Sequence, residues 1–169
     1  MTPANSVISS AAPKPTSQTQ HGRTMNEPDP ERLEVWRAFL VSHAALERML
    51  TRELQDECSL PLPWYEVMDA LHAAGGQMRF MELAERVMVH PSSLSRQLDG
   101  MERADLVARE KITEEDGRAV TVSLTPEGKE DWRTASSVYY RLVKRVFTNH
   151  LTDTDVIALH RVFAKVLEG

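Results

Sequence analysis

Residues Glu114–Gly128 read EEDGRAVTVSLTPEG, and this stretch decides the fold class. Asp116-Gly117 is a pair typical of a tight hairpin turn. The apolar residues that follow alternate as in a strand with one buried face; they are Val120, Val122 and Leu124. Thr125 suits a helix N-cap, and Pro126 suits the first helical position. The stretch therefore predicts a β-hairpin that leads directly into a helix.

Helical patterns lie on both sides of this hairpin. From Asp29, apolar-stripe residues recur at three- and four-residue steps over about 25 residues, which predicts one long helix. Its stripe consists of Leu33, Trp36, Leu40, His43, Leu46, Leu50 and Leu54. Three shorter helices are predicted before the hairpin, at Trp64–Ala74, Met81–Val87 and Pro91–Arg103, with His90 as the N-cap of the last. Two more are predicted after it, from Pro126 to about Asn149 and from Thr152, where Asp155 completes a capping box.

This order of elements predicts a mainly α, winged helix-turn-helix fold with a two-stranded β-hairpin wing. The helix-turn-helix spans about residues 80–103 and the wing about 106–124. Residues 1–28 are predicted to be a disordered tail, because Met1–Thr24 is rich in Pro, Ser, Thr, Ala and Gln and has few aliphatic residues to bury. Residues 29–169 form the predicted domain, and translation from either Met1 or Met25 is compatible with it.

Composition restricts the class of protein further. Of 169 residues, 41% are hydrophobic and 27% charged, as in a soluble globular domain. No apolar run reaches the ~18 residues that a membrane span requires, and residues 1–25 lack the apolar core of a signal peptide. The single cysteine, Cys58, fits a reducing cytoplasm. No nucleophile elbow, phosphate-binding glycine loop or His-Glu-x-x-His motif is present, so we expect neither an enzyme nor a bound cofactor.

The predicted second helix of the helix-turn-helix carries short polar side chains and one arginine on its outer face: Ser92, Ser93, Ser95, Arg96 and Gln97. Such a helix reads base edges in the DNA major groove, where glutamine suits adenine and arginine suits guanine or a phosphate. At the wing tip, Arg118 is the candidate for insertion into the minor groove. Asp116 would orient its guanidinium through a charge-assisted hydrogen bond.

These residues resemble those of the MarR family of bacterial transcriptional regulators. DGRAVTVSLTPEG, residues 116–128, is similar to the Asp-x-Arg wing and the following Leu-Thr-x-x-Gly of that family, and residues 83–110 resemble its helix-turn-helix region. The resemblance covers Asp29–Gly169. It implies a homodimer, with dimerisation helices at about 30–57 and 125–168, that binds a palindromic double-stranded DNA operator and often releases it on binding a small ligand. Pro91 departs from the polar residue of many relatives.

An aromatic pocket for a small aromatic or phenolic effector is a further hypothesis. Its candidate residues come from the first two helices and are Trp36, His43, Trp64, Met68 and His72, although each also suits plain core packing. His43 and Glu47 are four residues apart, yet no Cys-His cluster accompanies them, so no metal site is predicted. Cys58 follows Asp56 and Glu57, whose charges disfavour a reactive thiolate.

Two alternatives to the DNA-binding regulator remain open at this stage. An adaptor module could retain the winged-helix scaffold without reading DNA, which the net charge of −5 and the acidic Glu114 and Glu115 at the wing tip favour. Those two carboxylates would weaken phosphate approach unless they pair with Arg109 or Lys111. A regulator that senses redox state or a metal directly is the weaker alternative.

Overall fold

The computed structural model describes residues 29–114 and 117–168, with the backbone alone at 112–114 and 117–119. Its elements are α1 (Pro30–Cys58), α2 (Leu62–Ala73), β1 (Gln77–Arg79), α3 (Phe80–Arg86), α4 (Pro91–Arg103), β2 (Val107–Glu114), β3 (Gly117–Leu124), α5 (Pro126–Val146), a 3₁₀ turn (Thr148–His150) and α6 (Asp153–Glu168). The predicted mainly helical, winged helix-turn-helix architecture is confirmed. None of these helices has the length and hydropathy of a membrane span within the described residues.

Contacts divide the chain inside α1, between Arg37 and Ala38, and the two parts are described separately. In the first part, Asp29 caps α1, because its Oδ1 accepts hydrogen bonds from the backbone N–H groups of Glu31 at 3.0 Å and Arg32 at 3.3 Å. The side chain of Trp36 is about half exposed there. All the packing described below belongs to Ala38–Glu168.

The sheet has three strands rather than the predicted two, in the order β1-β3-β2, and both pairings are antiparallel. Met78 and Arg109 lie on opposite sides of Val122, so β3 is the central strand. Strand β1 was not predicted because a three-residue strand is too short to show alternation. Its identity comes from its partner strand, which lies far along the chain.

The core is assembled from every element of the winged helix. Its completely buried side chains are Leu54, Met68, Leu71, Leu83, Leu94, Leu98, Met101 and Val122. Burial of each large aliphatic side chain stabilises the folded state by about 1.5–3 kcal/mol. Three of these residues, Leu94, Leu98 and Met101, lie on one face of α4. The core therefore fixes which face of α4 is turned outward.

The first four helices end in the same way. Each has a residue of positive φ just after its last turn, and a backbone N–H there donates to a carbonyl of the last turn of the helix. Ser59, Met88 and Asp105 have φ values of 52°, 53° and 57°, and Gly75 has 84°. After α4, the N–H of Leu106 donates to the carbonyl of Met101 at 2.9 Å. These endings produce the short connections that hold α3, α4 and the wing close together.

The junction between the wing and α5 is especially tight. The hydroxyl of Thr125 accepts from the N–H of Gly128 at 2.9 Å, as predicted for an N-cap, and donates to the carbonyl of Asp105. The N–H of Thr125 donates to the carbonyl of Leu106 at 3.2 Å. A Cβ at Gly128 would lie 1.9 Å from that same carbonyl oxygen of Leu106. The start of α5 can approach the end of α4 only because residue 128 has no side chain.

We predict that Gly128→Ala lowers the free energy of unfolding by about 1–3 kcal/mol, because an added Cβ would clash with the backbone of Leu106. Lys129→Ala, at the exposed neighbouring position, should change it by less than about 0.5 kcal/mol. Urea unfolding followed by circular dichroism measures both variants. Equal midpoints for Gly128→Ala and the unsubstituted protein would contradict the packing described.

Candidate nucleic-acid interface

The turn between α3 and α4 sets the start of the candidate recognition helix α4. Met88 turns the chain with φ 53°, and the N–H of Val89 donates to the carbonyl of Ala84 at 3.1 Å. His90 is the N-cap, as predicted: its Nδ1 accepts from the N–H of Ser92 at 3.3 Å. Pro91 occupies the first helical position, where a backbone N–H is not needed. Local chemistry thus fixes the first residue of α4.

The five α4 residues predicted to contact bases or phosphates differ in exposure. Ser92 and Arg96 are exposed, one helical turn apart and opposite the buried leucines. Ser93, Ser95 and Gln97 are half-buried at the flanks. The hydroxyl of Ser92 also lies 2.8 Å from Nδ1 of His90, so it contributes to the cap. Arg96 combines exposure to solvent with a long, positively charged side chain.

The wing tip is described only in part. Glu115 and Asp116 lie outside the described residues. The backbone of Arg118 is in β3, paired with Thr113, and Glu114 pairs with Gly117, but their side chains are not described. The pairing of Glu114 with Gly117 brings the two strands together at the predicted turn. The proposed role of Asp116 and Arg118 in the minor groove stays a prediction.

An ion-pair cluster joins α4 to the wing, and the sequence analysis missed it. Nη2 of Arg109, on β2, lies 2.6 Å from Oδ1 of Asp99 and also contacts Oε2 of Glu102. The backbone N–H of Arg109 donates to Oε1 of Glu102 at 3.0 Å. The hydrogen bond from Arg109 holds the pKa of the Glu102 carboxyl below its usual range. Arg109 thus fixes the base of the wing to α4.

A groove of about 410 Å³ lies between α4 and the wing. Ser95 lines it from α4, and Lys111 and Val120 line it from the two wing strands. Lys111 is exposed, so its ammonium adds a positive charge beside the outer face of α4. The helix and the wing therefore present one continuous surface rather than two separate contacts.

Four of the five residues of the predicted aromatic pocket lie in Ala38–Glu168, and none of the described cavities is lined by more than one of them. Met68 is completely buried in the core. The ring of Trp64 packs over Gly100, where an added Cβ would lie 2.7 Å from it. His72 stacks on Trp132 with ring centroids 3.4 Å apart, beside a small cavity of about 250 Å³. Trp36 belongs to the first part of the chain. Of the set, His43 alone lines a larger cavity of about 640 Å³.

That cavity measures about 640 Å³ and lies among α1, α2, the end of α3 and α5. Its walls are mainly aliphatic, and its polar or aromatic members include His43, Glu47, Glu66, Tyr139 and Phe147. The sequence analysis missed Glu66, which is one position from the buried Tyr65 in α2. No pattern in one helix shows which of its polar residues face a cavity shared by four elements.

The surroundings of Cys58 disfavour its thiolate form. Burial, followed by the negative charges of Glu57 and Asp131, raises the pKa of the Cys58 thiol. The reactive thiolate is therefore disfavoured, even though Arg141 acts in the opposite direction. No group of three or more metal-ligating side chains occurs in the part of the chain that the structure describes.

The fold and this surface define a class of protein, the winged helix-turn-helix proteins. The second helix of the motif, α4, has an exposed face and is joined to the wing by the ion pairs of Arg109. A family model described as MarR family matches residues 59–119. The crystal structure of AbsC, a MarR family transcriptional regulator from Streptomyces coelicolor, is 30% identical, with a TM-score of 0.77, over 83% of this chain and 94% of that one. The chain belongs to the MarR family, whose members are transcriptional regulators rather than enzymes.

Two further relatives are similar to this chain. Sco3205, a MarR family transcriptional regulator from Streptomyces coelicolor crystallised in complex with DNA, is 27% identical over 83% of this chain and 89% of that one, with a TM-score of 0.77. The HTH-type transcriptional repressor MdtR of Bacillus subtilis (strain 168) is 28% identical over 94 residues. That alignment covers 56% of this chain and 59% of the repressor's length.

We predict that Glu102→Gln destabilises the protein at neutral pH and that this difference shrinks in acid. The native pKa of Glu102 is lowered, so its contribution is present above the ordinary glutamate pKa and is lost as pH falls through the native value. Urea unfolding of both proteins across this range measures the difference. Glu110→Gln, at an exposed neighbouring position on β2, is the control. A difference that stays constant down to strong acid would rule out the cluster.

Proposed function

We propose that the protein is a homodimeric repressor that binds a palindromic DNA operator in the cytoplasm and responds to a small effector. The observation that carries this proposal is the outward face of α4. Ser92 and Arg96 are exposed on it, opposite a completely buried face, and Arg109 holds the wing beside it. Ser93, Ser95 and Gln97 would complete base and phosphate contacts, and Arg118, oriented by Asp116, would enter the minor groove.

The relatives support DNA binding by this chain. Sco3205 was crystallised with DNA, and MdtR is a repressor. A two-fold symmetric dimer would place its two α4 helices on half-sites about one helical turn, ~34 Å, apart. A palindromic operator follows from that symmetry. The sign of regulation is carried over from MdtR.

Helix α6 supports the homodimer. None of its residues, 153–168, is buried, although it carries a row of large apolar side chains. Those exposed by two-fifths or more are Val156, Ile157, Val162, Phe163, Val166 and Leu167. Within the chain the ring centroids of Phe163 and Phe39 are 6.1 Å apart, and Phe39 is itself 44% exposed. A second copy of the chain would cover this surface, since apolar area of this extent marks an interface.

An effector would act by preferring one arrangement of the dimer over another. A ligand shifts such an equilibrium only by the difference between its affinities for the two states. The 640 Å³ cavity adjoins the α3–α4 turn, so ligand contacts there would affect the position of α4. The sequence led us to expect a small aromatic or phenolic effector.

The operator test uses the purified full chain and the DNA upstream of its own gene. We expect an electrophoretic shift that unlabelled specific DNA abolishes at far lower concentration than random DNA does. The affinity of the protein for the DNA should fall steeply with salt. Size-exclusion chromatography with light scattering should give twice the chain mass. Absence of any shift at low salt would overturn the regulator proposal and favour the adaptor alternative.

Arg118→Ala should weaken operator binding by about 1–3 kcal/mol, the usual range when an arginine that bonds to a specific DNA site is removed. The loss should be greatest on sites flanked by A·T tracts, whose narrow minor grooves concentrate negative potential. Fluorescence anisotropy with labelled duplexes measures it. Arg133→Ala, which removes an exposed charge from α5, should bind as the unsubstituted protein does. Equal reductions in affinity for both variants would exclude a specific role for Arg118.

A further inference from the structure

We propose that the 640 Å³ cavity binds an amphipathic organic cation, with an aromatic or aliphatic body and a single positive charge. The inference rests on the proposed function, because it names the chemical class of the effector of that regulator. It also replaces the phenolic effector expected from the sequence. The size and the apolar walls of the cavity suit the body of such a ligand, and the charges of the cavity suit its positive group.

The size and walls of the cavity suit an apolar body. Ligand sites of drug-sized molecules measure about 300–1,000 Å³ and are lined mainly by apolar side chains with a few polar groups. Leu46 and Leu50 of α1, Leu62 of α2 and Val143 of α5 supply such walls. Phe147, 40% exposed at the end of α5, adds an aromatic face toward which a cation is attracted.

The charged side chains of the cavity are two carboxylates from different helices, Glu47 of α1 and Glu66 of α2, and both residues are exposed to solvent at its edge. Burial, followed by repulsion from Glu47, raises the pKa of the Glu66 carboxyl. No lysine or arginine is among the described residues that line the cavity. A bound positive charge would relieve this repulsion, whereas a phenolate or carboxylate would add to it.

The cavity is connected to the DNA-binding surface through its fourth wall. Val87 and Met88 line it, and Met88 is the positive-φ residue of the α3–α4 turn, two positions before the N-cap of α4. A ligand in contact with these residues would favour one conformation of the turn. Because α4 begins at Pro91, that preference would be transmitted to its orientation.

The binding experiment uses isothermal titration calorimetry on the full chain without DNA. Three probes of similar size differ in charge: benzyltrimethylammonium, benzyl alcohol and salicylate. We expect benzyltrimethylammonium to bind about tenfold more tightly than benzyl alcohol, because the two carboxylates that line the cavity attract a bound cation. Salicylate should bind most weakly. Equal affinity for all three probes, or a preference for salicylate, would overturn the inference.

Charge-neutral variants test the residues. The double variant Glu47→Gln/Glu66→Gln should lose about tenfold in affinity for benzyltrimethylammonium and leave that for benzyl alcohol unchanged. The control Glu82→Gln/Glu85→Gln removes the same charge from exposed positions of α3 outside the cavity and should bind the cation normally. If melting shows the cavity double variant to be unfolded, Glu66→Gln alone takes its place. Unchanged cation binding in the folded variant overturns the assignment.

The two proposals fail separately. If the protein shifts its operator but binds none of the probes with a charge preference, the cation site is wrong and the regulator stands. If it binds the cation but shifts no DNA, the cavity is a ligand site and the operator proposal is wrong. When both hold, benzyltrimethylammonium should change operator affinity in the unsubstituted protein and not in Glu47→Gln/Glu66→Gln.

Discussion

The close approach of Gly128 to the carbonyl of Leu106 is the constraint on which the rest of the winged helix depends. At this point the end of α4, the base of the wing and the start of α5 meet within a few residues. The hydroxyl of Thr125 bridges two of them, and the N–H of Leu124 donates to the carbonyl of Gly76, which brings in the end of α2. A rotation of α5 would therefore displace the end of α4 through direct backbone contacts, without any long side chain in between.

What the sequence predicted correctly depends on interactions within about four residues. The bounds of α4, the His90 cap, the Thr125 cap and the capping box of Thr152 with Asp155 all belong to this kind. Each rests on one side chain reaching a nearby backbone N–H, so a short motif contains both partners. The helix α5 ended earlier than expected because Phe147 leaves helical geometry, with φ −134° and ψ −66°. Nothing in the local pattern marks that residue.

What the sequence did not predict depends on distant partners. Strand β1 needs β3, and the Arg109 cluster needs the register of β2 against α4. The cavity needs the packing of four elements, so its lining residues Glu66 and Tyr139 were not predicted from the sequence. Met68, a predicted pocket residue, is completely buried in the core. Aromatic and histidine side chains in a helical stripe indicate burial, but they do not tell a packed interior from a hollow one.

The Arg109 cluster has an electrostatic consequence beyond bracing the wing. Taken alone, α4 carries two arginines, Arg96 and Arg103, and two acids, Asp99 and Glu102, and so has no net charge. Arg109 lies against both acids and acts as a counterion supplied by the protein itself. In a chain whose net charge is −5, the helix proposed to approach phosphates is thereby left locally positive. The Arg109 ion pairs therefore bear on the charge of the surface that a polyanion would approach.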